Sequence, residues 1–174
     1  MGALADNLFQ IELLLERGGG VLWVILVASV LMWVLIIERY YFMLVLYPAQ
    51  LQQLIDYWQQ RQERHSWHAQ CIREGMIAEL SQNLRKFLLP IKTLTAVLPM
   101  LGLLGTVIGM IQVFDVMTVF GTGNVRGFAG GISVALITTM AGLVTALSGL
   151  YFSANLEHRA QRAIQHARDL LRQE

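Results

Sequence analysis

Two stretches decide the fold: Pro99-Met-Leu-Gly-Leu-Leu-Gly-Thr-Val-Ile-Gly109 and Ala135-Leu-Ile-Thr-Thr-Met-Ala-Gly-Leu-Val144. They lie inside Thr93–Phe114 and Gly127–Leu156, neither of which contains Asp, Glu, Lys, Arg or His. Both are long enough to cross a bilayer, which takes roughly 20 mostly apolar residues. Both are also rich in Gly, Ala and Thr rather than in bulky side chains. Helices that must approach each other closely inside a membrane use small residues. The pair therefore reads as the wall of an assembly. If protons or ions pass along it, another chain must bring the charge.

Working outward, a third apolar run occupies Val21–Ile37 and extends toward Tyr47. Its Trp, Val, Ile and Leu side chains cover every face, which suits contact with membrane lipid. The chain is 55% hydrophobic and 14% charged over 174 residues, with a mean hydropathy of +0.51. This is the composition of an integral membrane protein. The expected fold class is all-α, with three transmembrane helices and long cytoplasmic helical extensions, assembling as an oligomeric bundle. A net charge of +1 gives no reason to expect nucleic acid. A single cysteine, Cys71, excludes an internal disulfide. The first twenty residues lack the basic start of a secretory signal.

Lys and Arg mark the cytoplasmic side. Arg39, Arg61, Arg64, Arg73, Arg85, Lys86 and Lys92 lie between the first two runs, and Arg159, Arg162, Arg168 and Arg172 follow the third. The predicted order is an outward amphipathic helix at 1–20, a span at 21–47, a cytoplasmic helical segment at 48–92 and a span at 93–117. An outer loop at 118–130, a span at 131–156 and a cytoplasmic helix at 157–174 complete it. Gly18-Gly-Gly20 breaks the first helix from the first span. Pro48 and Pro90 bracket the polar segment, which reads as two helices around His65–Gln70. Glu38-Arg39 at the end of span one is a candidate ion pair, at the interface or between subunits.

At 3.6 residues per turn, Gly102, Gly105, Thr106 and Gly109 share one face of the second span. Gly131, Ala135, Thr138, Gly142, Ala146 and Gly149 form a small stripe on the third. Gly102, Gly105, Gly109, Ala135, Gly142 and Ala146 are the candidate packing and assembly residues. Thr106, Thr138, Thr139 and Thr145 sit on these two helices, whereas span one has only Ser29. That asymmetry predicts a mildly polar lumen lined by spans two and three. Carboxylates inside a membrane usually mark proton paths, and Glu38 and Asp115 stand only at span edges. The sequence shows no nucleophile–base pair and no phosphate loop, so no enzyme is expected. His65, His68 and Cys71 are three apart, a spread too wide for one ligand set. Neither metal nor cofactor is expected.

Leu98-Pro-Met-Leu-Gly-Leu-Leu-Gly-Thr-Val-Ile-Gly-Met-Ile111 with Phe114, and Gly131-Ile-Ser-Val-Ala-Leu-Ile-Thr-Thr-Met-Ala-Gly-Leu-Val144, resemble the proton-channel family of ExbB, TolQ and MotA. With three spans, the chain looks most like a short-form ExbB. The resemblance implies a Gram-negative inner-membrane homopentamer, with its N-terminus periplasmic and its C-terminus cytoplasmic. Its pore would enclose an ExbD-like single-span protein whose membrane Asp takes the proton. The proton-motive force would then energise a TonB-like protein for nutrient import across the outer membrane. A TolQ-like role in envelope integrity and a non-conducting scaffold are the alternatives. By resemblance Thr106 and Thr139 line the pore, with Thr138 a secondary candidate from the small-face reading. Many relatives carry Glu where this chain has Val134, and Ala-Ile-Pro where it has Ala146-Leu-Ser148.

Overall fold

Apolar runs of this length satisfy their backbone polar groups only as helices when no water is available. The computed structural model describes residues 2–60, 67–121 and 125–173, and nearly all of them are helical. Helix α1 spans Gly2–Tyr41, α2 Tyr47–Gln59, α3 Trp67–Arg85, α4 Leu88–Phe120 and α5 Val125–Gln173. Three helical stretches are long and apolar enough to cross a membrane. The protein is a multi-pass, all-helical membrane protein.

The helix ends follow from local chemistry. Within the Gly18–Gly20 triplet, Gly19 takes φ +65° and interrupts α1, a conformation that only glycine adopts at no steric cost. Span one does not stop at its aromatic residues. A wide π-helical turn, Phe42–Leu46, joins α1 to α2, and the Tyr47 N–H donates to the Phe42 carbonyl. Pro48 follows at once. Proline cannot donate to the preceding turn and crowds it, so a widened turn lets the helix run on. Helices α3 and α4 meet at Lys86–Phe87, where Phe87 has φ +64°. The expected outer loop at 118–130 is mostly helical instead. Helix α4 runs to Phe120 and α5 starts at Val125, with Gly121 at φ +71° closing α4. Of the three candidate metal-spaced residues, His65 lies outside the described residues, and Cys71 is exposed.

The chain divides into two compact units. The first comprises residues 1–32 and 93–150, the second 33–92 and 151–174. In the first unit, Leu22, Ile25 and Met32 of α1 and Leu98 and Val113 of α4 are buried. The second unit has its own apolar cluster, in which Trp58, Ile77 and Leu171 pack with Leu54, Met76 and Ile164. Its polar contacts are long-range. The Tyr47 hydroxyl donates to the Ala163 carbonyl at 2.8 Å, and Tyr40 donates to the Asn155 side chain at 3.2 Å.

Candidate functional site

Within the first unit the small residues of α4 and α5 are buried, most of their glycines against the other helix. Gly102, Gly105 and Gly109 on α4 and Gly131, Gly142 and Gly149 on α5 are all buried, as are Ala135 and Ala146. A Cβ at Gly142 would stand 2.7 Å from the Leu98 carbonyl oxygen and 3.0 Å from the Gly102 Cα. A Cβ at Gly109 would meet the Gly131 carbonyl at 2.7 Å and the Ala135 Cβ at 2.8 Å. At Gly105 it would overlap the Thr138 side chain. Backbones this close gain dispersion contacts along their whole length, the source of helix association where no hydrophobic effect operates. At the C-terminal end of the small stripe of α5, Gly149 lies against Met32 and Thr95, and Thr95 reaches the Met32 sulfur at 3.5 Å.

This packing separates the three candidate threonines. Thr138 is 0% exposed, and its hydroxyl donates back to Val134 at 2.9 Å and Ala135 at 3.1 Å. It faces the other helix of its own chain, where its methyl and hydroxyl fill the space left by Gly105. Thr106 and Thr139 are only half-buried. The Thr106 hydroxyl donates to the Leu103 carbonyl at 2.6 Å. The Thr139 hydroxyl lies 2.9 Å from the Ala135 carbonyl and 3.2 Å from that of Gly102 on the facing helix.

Each of these two follows a buried stripe residue by one position, an advance of about 100°. Because α4 and α5 run antiparallel, an advance of the same sense turns both side chains to the same edge of the pair. That edge is otherwise apolar, with Leu103, Met110, Ile132 and Leu143 exposed. Thr145 and Ser148 donate to Ala141 and Thr145 carbonyls at 2.7 Å each, and lie toward the other edge. With its proton engaged, a hydroxyl still offers lone pairs. The Thr106/Thr139 edge therefore presents acceptors and no charge. It can receive a hydrogen bond from water or from a protonated carboxyl group.

Glu38 and Arg39 differ sharply in exposure. Arg39 is 1% exposed. It donates from Nη2 to the Asn83 carbonyl of α3 and stacks over Phe42 at 4.6 Å. Glu38 is exposed. The ion pair found among the described residues is Lys92–Glu157, at 2.8 Å and exposed. Sequence reasoning passed over Asn83, Asn155 and Tyr47. Their partners lie 44 to 116 residues away, and no local pattern signals them.

Comparisons with known proteins agree with this wall. The chain is 42% identical over 72 residues to one ExbB-like biopolymer transport protein of Synechocystis sp., covering 40% of this chain and 34% of that protein. A second from the same organism is 43% identical over 63 residues, covering 34% and 25%. An ExbB homolog of Methanothermobacter thermautotrophicus is 44% identical over 71 residues, covering 41% and 24%. The matched segments thus span about a third or a quarter of these relatives' lengths. The family model covers far more of this chain, residues 47–169. With the apolar helices and the small-residue wall, that match places the chain in the MotA/TolQ/ExbB proton channel family.

Proposed function

We propose that this chain is the conducting shell of an inner-membrane proton-driven motor, a homopentamer around an ExbD-like single-span partner with a membrane Asp. It would energise a TonB-like protein for outer-membrane nutrient import. The observation that carries this reading is the α4/α5 edge: two acceptor hydroxyls, Thr106 and Thr139, in a wall free of Asp, Glu, Lys, Arg and His from Thr93 to Phe114 and from Gly127 to Leu156. A bare carboxylate against such a wall is expensive. A protonated one can donate to Thr106 or Thr139 at little cost. The wall therefore favours passage of the partner's Asp in its neutral form, and couples its movement to proton uptake on one side and release on the other. In this reading the polar segment at 48–92 and the end of α5 face the cytoplasm, following the Lys and Arg bias.

The double variant Thr106→Ala with Thr139→Ala tests the role of the edge. Energised uptake should fall to background while the partner still co-purifies. Normal uptake in that variant would contradict the reading. A strain that loses envelope integrity rather than nutrient uptake would instead assign the chain to a TolQ-like system.

A further inference from the structure

The second unit carries two unlike flanks on α3. On one side, α3 and α5 enclose a cleft of about 720 Å³ floored by Ile77 and Ile164 and rimmed by Arg73, Arg85 and Arg168. Glu74 is the single carboxylate on its wall. None of the three guanidinium groups makes an ion pair within 4 Å among the described residues. At 100° per residue the opposite flank of α3 presents Glu79. Glu79 borders a smaller groove against α2, which Tyr57 also lines; Tyr57 is 58% exposed. Glu79 is exposed and likewise has no ion-pair partner within 4 Å among the described residues.

We infer that the Tyr57–Glu79 lip of one copy docks in the Arg73–Arg85–Arg168 cleft of the next, a head-to-tail contact between copies of this chain. The inference rests on the ring reading above and names the surface that builds the ring. Three arguments select a second copy as the occupant. The charges are complementary: the cleft holds three cations and one anion, and the lip holds one anion and no cation. An aromatic ring beside an acid is well suited to an apolar floor with a guanidinium rim, since arginine stacks on aromatic faces. The levels also match. Glu79 stands six residues from both Arg73 and Arg85, about 9 Å along the helix in each direction at 1.5 Å per residue. A neighbour generated by rotation about an axis running along α3 moves sideways and not lengthwise, so its Glu79 arrives level with the middle of the cleft. A head-to-tail contact of this kind closes into a ring when the rotation divides a full turn.

The test uses the full chain in detergent, reading oligomer mass against concentration, with helix content as a folding control. Arg73→Glu/Arg168→Glu and Glu79→Arg should each weaken self-association about tenfold, because each sets like charges face to face. The combined chain, with all three substitutions, should recover wild-type association. Three results would overturn the inference. Unchanged association in the partial variants would leave the ring intact but built elsewhere, and the cleft free for a foreign acidic segment. Weakening without rescue, at wild-type helix content, would remove the specific pairing. A wild-type chain that stays monomeric at all concentrations would remove this contact and the ring reading together.

Discussion

The α4/α5 seam of the first unit and the Trp58–Arg39 bundle of the second are held by opposite means. The seam works by omission. Gly102, Gly105, Gly109 and Gly142 lack side chains, and the facing backbone or Thr138 occupies the space. The second bundle works by insertion. Trp58 is 2% exposed and Arg39 1% exposed, and each fills its interior with a large side chain. One region should therefore fail when atoms are added, and the other when atoms are removed. The proposed conducting role would gain from the first design, since a backbone-packed seam has few rotamers to rearrange.

The largest expected effect is at Trp58. Trp58→Ala should cost about 3–5 kcal/mol through the cavity it leaves, read as a large drop in melting temperature. Trp58→Phe should cost less than about 1.5 kcal/mol, because the indole N–H has no partner among the described residues and its loss relieves a buried polar group. Next is the seam. Gly142→Ala gains about 1 kcal/mol of helix propensity, yet its Cβ would stand 2.7 Å from a carbonyl oxygen that no rotamer can move. Overpacking of this kind should leave a net loss of about 1–3 kcal/mol. The same substitution at Gly75 of α3 meets nothing within 4 Å. Gly75→Ala should therefore stabilise by about 0.5–1 kcal/mol. Opposite signs for one substitution in two helices would sharpen the comparison, and equal signs would break it. Smallest is the exposed Lys92–Glu157 pair. Lys92→Gln should change stability by no more than about 1 kcal/mol, and by less in high salt.

Much of the first unit was legible in the sequence because a small residue at helical spacing states its own purpose. The stripes of Gly102–Gly109 and Gly131–Gly149 are plain in the sequence, and the structure buries those glycines, most of them against the facing helix. Which threonine faces outward was not legible. Thr138 and Thr139 are neighbours, and only the register of α5 against α4 decides that one fills Gly105's space and the other sits at the edge. The second unit was harder for the same reason in stronger form. Arg39 reads as an interfacial anchor until Asn83, 44 residues on, is folded against it. The helix running through Pro48 was hidden too, because a proline reads as a stop unless a widened turn precedes it.

The central claim is that this wall carries no proton by itself and borrows its titrating group. Proton flux into liposomes under an imposed potential tests it most directly, comparing the chain alone with the chain co-purified with the proposed Asp-bearing partner. The account predicts flux only in the complex, lost when the partner's Asp is replaced by Asn. Flux through the chain alone would contradict it.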